Sequence, residues 1–174
     1  NSLFAGRTLP AHRLTGHLLI GESMFEVLVY MFENYFEADN RPDQLTLAKE
    51  LFAAGFEQED IDGAFDWFNA LENMSQQDDS HIDISSGLRV YTDSEVQKIS
   101  SESLSFVMFL EQANVLTQTQ RELVIDRIMA LPQPEVTIEE TRWIVLMALW
   151  NQGKTNDYLF VEDAIFSETR PVFH

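Results

Sequence analysis

Cysteine is absent from this 174-residue sequence. That excludes a disulfide framework, a thiolate zinc site, an iron–sulfur cluster and a cysteine nucleophile. Histidine is scarce as well. His12 and His17 lie near the start, His174 is the last residue and His81 stands alone, so no pair has metal-ligand spacing. The sequence has no Gly-x-Ser-x-Gly and no Ser-x-x-Lys. Gly153-Lys154-Thr155 resembles the end of a phosphate loop, but Ala148 stands where the earlier glycine is needed. A helical pattern, not a strand, precedes it, so its backbone amides are not aimed at a phosphate. Long hydrophobic runs are also missing. The longest, Val27–Phe32 and Trp143–Trp150, fall far short of the ~20 residues that span a bilayer.

Positive charge is the other shortage. Eleven bases face 29 acids, for a net charge of −18. Phosphate, nucleic acid and anionic membranes are therefore poor default partners. Residues 1–23 differ in character, with Arg7 and Arg13 against the single acid Glu22. They show no helical period, and Thr15, Gly16 and His17 interrupt their apolar stretch too early for a signal peptide. They are expected to be a non-native or upstream extension before a natural start at Met24. Without a signal or a span, the expected location is cytoplasmic.

What is present is apolar and periodic. At 45% hydrophobic the chain is not disordered, and its length suits one domain or two small subdomains. Residues 24–37 read as a helix buried on most sides, with Glu26, Glu33 and Glu37 on one narrow stripe. Pro42-Asp43 opens a second helix, with the proline in its first turn and Leu45, Ala48, Leu51 and Phe52 as its apolar set. Gly55 follows as a left-handed C-terminal cap. A third helix starts near Glu59, and Ile61, Ala64, Phe65, Phe68 and Leu71 form its apolar stripe.

Residues 75–87 read as a linker loop. Within and after it, His81–Ile84 and Leu88–Tyr91 alternate like short strands, and can pair as a small hairpin around Ser85-Ser86-Gly87. Three capping boxes follow, beginning at Thr92, Thr117 and Thr137, each with Glu or Gln three residues on. They predict helices from about 93, 118 and 138. Leu104–Leu110 is a strongly apolar helix ending near Asn114, and Pro132 and Pro134 close the helix of Val124, Ile125 and Ile128. The segment Trp143–Trp150 is apolar all round and is expected at the centre of the second half. Gly153 ends it, and a last helix covers about 156–167.

The expected fold is mainly α. A winged-helix-like N-terminal subdomain (24–80) precedes a helical C-terminal subdomain (81–174), with the small hairpin near 81–91. Gly55-Phe56 falls where a helix-turn-helix would turn. A recognition helix over 59–73 would present Glu59, Asp60, Asp62, Asp66 and Glu72 and no base at all. Specific binders neutralise phosphates with Lys and Arg, so direct nucleic-acid binding is disfavoured. Arg121, Arg127 and Arg142 are the other anchors available, but acids such as Glu122 and Asp126 lie ready to pair with them. An EF-hand register on Gly63 places Gln58 at loop position one and Asn69 at position twelve, where acids are required. No metal, cofactor or catalytic constellation is expected.

The remaining candidate is a protein-binding surface. Glu57, Glu59, Asp60, Asp62 and Asp66 could meet a basic protein, with Trp67 as an anchor. The plain alternative is a solvated face with Trp67 at the rim of the core.

From Met24 onward the sequence resembles the bacterial Smg protein family. The likeness lies in Met24-Phe25-Glu26-Val27-Leu28-Val29-Tyr30, Phe32-Glu33-Asn34-Tyr35, Ala54-Gly55-Phe56 with Asp60-Ile61, and Leu88-Arg89-Val90-Tyr91-Thr92. It continues through Phe109-Leu110-Glu111-Gln112, Val115-Leu116, Arg121-Glu122 with Val124-Ile125 and Arg127, then Trp143, Val145-Leu146-Met147, Leu149 and Asn151. The resemblance implies a cytoplasmic protein whose chain starts at Met24. It carries over no activity, cofactor or catalytic residue. Family genes often lie near one for a DNA-processing protein, an association that bears only on the nucleic-acid-linked alternative.

Overall fold

The first helix, α1 (Glu22–Met31), does not run on to residue 37 as its pattern predicts; it widens into a π-helical turn over Phe32–Phe36. The computed structural model describes residues 22–36, 42–76 and 88–151. The Asn34 side-chain amide donates to the Tyr30 carbonyl over 2.8 Å. That carbonyl is the acceptor an α-helix reserves for the Asn34 backbone N–H, and such competition loosens the turn. Helices α2 (Gln44–Ala53) and α3 (Gln58–Ser75) follow. The chain forms two compact units, divided between Phe68 and Asn69 within α3.

In the first unit, Asp43 caps α2 by accepting from the Thr46 N–H over 3.2 Å. Pro42 therefore precedes the cap and is not in the helix. The buried residues of α2 are Leu47 and Leu51, while Leu45 and Phe52 face solvent. Of the apolar set the sequence predicts, Leu51 is buried, but Leu47 and not Leu45 or Phe52 joins it, because a ten-residue helix with many apolar positions carries two plausible stripes. Gly55 takes φ +101°, as expected of a left-handed cap. All five stripe residues of α3 are buried. Gly63 sits mid-helix, where a Cβ would lie 3.3 Å from the Met24 sulfur, so the glycine lets α1 approach α3. That helical setting also removes any calcium-loop role. Tyr30 meets the Phe56 ring edge-on at 5.4 Å.

The second unit holds α4 (Asp93–Lys98), α5 (Ser101–Gln112), α6 (Gln118–Met129) and α7 (Ile138–Asn151). The capping boxes at Thr92 and Thr117 form with both reciprocal bonds. At Thr137, Glu140 accepts from the Thr137 N–H over 3.0 Å, and the Glu140 N–H returns to the Thr137 hydroxyl over 3.3 Å. The helix starts at 93, 118 and 138 agree with the sequence. One break was not foreseen. Ile99 leaves the helix to form a parallel bridge with Val136, and Ser100 caps a new helix by accepting from the Ser103 N–H over 3.2 Å.

Helices α5, α6 and α7 pack on one another. Every residue of Ile144–Leu149 is buried, which places α7 at the centre of this unit. The Lys98 ammonium donates to the carbonyls of Met129 and Leu131 at the end of α6, where cations are favoured. Asn114 takes φ 61° just past α5, a conformation that asparagine tolerates.

No strand is assigned among the described residues. Most of the linker and hairpin (77–87), Gly153 and the helix at 156–167 lie outside them. No helix among the described residues is long and apolar enough to cross a membrane.

Candidate partner-binding surface

Helix α3 sorts the six candidate residues by periodicity. Glu59, Asp62 and Asp66 recur at i, i+3 and i+7, so they share one face, and all three are exposed. Glu57 is exposed just before the helix. Asp60 projects from another side and is half-buried. Trp67 is only 3% exposed and packs edge-to-face with Phe68 at 5.4 Å. Its ring belongs to the core, and the solvent-facing set is acidic alone.

The acids of the first turn, Glu59 and Asp60, have a local explanation in the helix dipole. Asp62 and Asp66 lie beyond the first turn, where that effect has faded. Asp62 accepts from the Gln58 side-chain amide over 2.9 Å. No cation pairs with Glu57, Glu59 or Asp66 among the described residues. The carboxyl of Asp60 is pushed above its ordinary range, first by burial and then by the charges of Glu59 and Glu57. The acids here repel one another without a counter-charge among the described residues.

The bases among the described residues of the second unit are already occupied. Arg89 makes two forks. Its guanidinium donates to both oxygens of Glu95 at 2.6 and 3.1 Å, and to both oxygens of Glu122 at 2.9 and 3.0 Å. The same group lies 4.7 Å from the centre of the Tyr91 ring. Hydrogen bonds to Glu122 and Glu95 raise the Arg89 pKa further. The Glu122 carboxyl is lowered, chiefly by the Arg89 bond. Arg121 pairs with Glu111 at 2.5 Å and Glu122 at 2.9 Å, and Arg127 with Asp126 at 2.8 Å. Arg142 lies 5.6 Å from the Phe106 ring centre, and Lys98 is spent on carbonyls. Arg121 and Arg127 pair with Glu122 and Asp126, the acids the sequence suggests.

Asp93, Glu102, Glu135 and Glu139 remain exposed with no ion pair among the described residues. Glu102 and Glu135 line an open depression of about 480 Å³ where α5 and α7 begin. No group of three or more potential metal ligands occurs among the described residues. Sequence reasoning missed Arg89 as a hub. The available signal was its place in an alternating patch, six residues before the capping-box glutamate Glu95.

Residues 24–174 match a family described as "Protein of unknown function (DUF494)". The chain is 68% identical over 151 residues to the Smg homologue of Methylobacillus flagellatus, covering 87% of this chain and 100% of that protein. It is 44% identical over 146 residues to the Smg homologue of Bordetella petrii, covering 82% and 94%. It is 40% identical over 156 residues to that of Alkalilimnicola ehrlichii, covering 88% and 99%. No solved structure matches.

Proposed function

This chain belongs to the family of Smg homologues, and we propose that it is a non-catalytic, cytoplasmic interaction module that binds a basic protein. The observation that carries this reading is the α3 face of Glu59, Asp62 and Asp66 beside exposed Glu57. Those charges have no ion pair among the described residues, and two of the four lie beyond the turn where the helix itself profits from them. A partner's Lys or Arg would relieve that repulsion and speed encounter by electrostatic steering.

A second reading has one feature in its favour. Helices α2 and α3 are joined by a short turn through left-handed Gly55, the order of a helix-turn-helix. A winged-helix-like module associated with nucleic acid and DNA processing could be built on it. Charge weighs against that reading, because Lys49 is the only base among the described residues of this unit.

The test is capture of partners from bacterial lysate by the tagged full chain, with and without nuclease, read by mass spectrometry. A stoichiometric partner that survives nuclease and is lost on Asp62→Asn with Asp66→Asn supports the interaction module. Partners that vanish with nuclease favour the second reading.

A further inference from the structure

In the second unit, exposure alternates along Leu88–Thr92. Leu88 is 93% and Val90 82% exposed, while Arg89 and Tyr91 turn inward. Period-two alternation is the signature of an extended chain with two faces. Thr92, at its end, has extended backbone with φ −75° and ψ 162°. The inward face is fastened by the Arg89 forks to Glu95 and Glu122 and by stacking on Tyr91. Arg89 also donates to the Val90 carbonyl over 2.8 Å. The N–H groups of Leu88, Arg89, Val90 and Tyr91 have no hydrogen-bond partner among the described residues. The result is a two-faced segment with donors unpaired among the described residues and two outward apolar side chains, the arrangement that accepts an added strand.

We infer that Leu88–Tyr91 is a docking edge to which an extended segment of a partner protein, carrying alternating basic and apolar residues, adds as a β-strand. This rests on the proposed protein-binding function and deepens it. Charge selects the occupant. The bases beside this edge, Arg89 and Arg121, are both engaged internally, with Glu95, Glu111 and Glu122. Exposed Asp93 adjoins the edge, and Glu122, held by Arg89, keeps carboxylate surface in solvent. A second copy would bring its own net charge of −18 against the same charge and be repelled. A basic strand gains from the acids and buries its alternate apolar residues on Leu88 and Val90.

The probe is a labelled synthetic peptide of alternating lysine and valine, titrated into the full chain. Two controls are an alternating glutamate–valine peptide and a lysine–valine peptide of the same composition with the residues in blocks. Binding of the alternating lysine peptide alone is expected, with hydrogen exchange at residues 88–91 slowed on binding. The variant Leu88→Ser with Val90→Ser should bind about tenfold more weakly with an unchanged melting temperature, because both side chains face solvent. Three results overturn the inference: equal binding by the variant, equal binding of the block peptide, or amides at 88–91 already protected in the chain alone. The last would mean that another part of the chain or a second copy fills the edge. If the edge fails while nuclease-resistant capture still depends on Asp62 and Asp66, the proposed function stands. If both fail, the function falls too.

Discussion

The Thr141 hydroxyl donates to the Ser103 hydroxyl over 2.9 Å, joining α7 to α5 at a point where both side chains are fully buried. Thr141 also lies 3.0 Å from the Thr137 carbonyl, and Ser103 lies 2.8 Å from the Ser100 hydroxyl. A chain of partners satisfies polar groups that burial would otherwise penalise. Thr141→Val keeps the shape and removes the hydroxyl. It is expected to cost about 1 kcal/mol, measured as a lower urea midpoint. An unchanged midpoint would show that the hydroxyls contribute nothing net.

Arg89 ties the segment before α4 to α6 through Glu122, 33 residues away. Removing the guanidinium leaves the Glu95 carboxylate without its ion pair and Glu122 with Arg121 alone. Arg89→Ala is expected to lower stability by about 1–3 kcal/mol. Arg89→Lys should recover only part of it, because an ammonium cannot make two forks. Full recovery by lysine would reduce the forks to simple charge.

The same cluster sets a pH dependence with a definite sign. The folded Glu122 carboxyl is lowered, first by the Arg89 bond and then, against opposing burial, by Arg121. Its contribution is complete above the unfolded carboxylate range and is lost as pH falls through the lower folded value. The destabilisation caused by Glu122→Gln should therefore be largest near neutrality and shrink in acid. A deficit that holds constant down to the acid transition would contradict this assignment.

Asp60 has the opposite sign. Its folded carboxyl is raised, chiefly by burial and then by Glu59 and Glu57. The folded chain therefore holds the Asp60 proton more tightly than the unfolded chain does. Stability falls as pH rises from the unfolded value through the raised folded one. Asp60→Asn should increase the melting temperature at pH 7, and the gain should disappear below the ordinary carboxylate range. A lower melting temperature at pH 7 would mean that the Asp60 charge is needed, for instance by the helix dipole.

Gly55 has φ +101°, and a Cβ there would meet nothing within 4 Å. Any cost of Gly55→Ala is therefore backbone strain and not a clash. The expected loss is about 1–2 kcal/mol, read from chemical denaturation. A neutral substitution would show that the turn between α2 and α3 relaxes to another conformation.

The sequence by itself determined the features that depend on near neighbours. The starts of α4, α6 and α7 follow from a threonine and a Glu or Gln three residues on, because a capping box closes within one turn. The left-handed Gly55, the buried stripe of α3 and the apolar run Trp143–Trp150 of α7 are legible for the same reason: helical periodicity is a local property. The acidic stripe Glu59, Asp62 and Asp66 was legible too, since spacing alone puts those side chains on one face.

Tertiary structure decided the rest. Which stripe of α2 is buried depends on what packs against it, so Leu47 and Leu51 went in and Leu45 and Phe52 stayed out. Trp67 joined the core of its unit, a matter of neighbours brought close by folding. The break between α4 and α5 needs Val136, 37 positions beyond Ile99, as its bridge partner. Arg89 became a hub only when α6 brought Glu122 within reach of its guanidinium. Local chemistry wrote the helices and their ends, while burial, pairing and the open edge at Leu88–Tyr91 arise from groups far apart in the chain meeting in space.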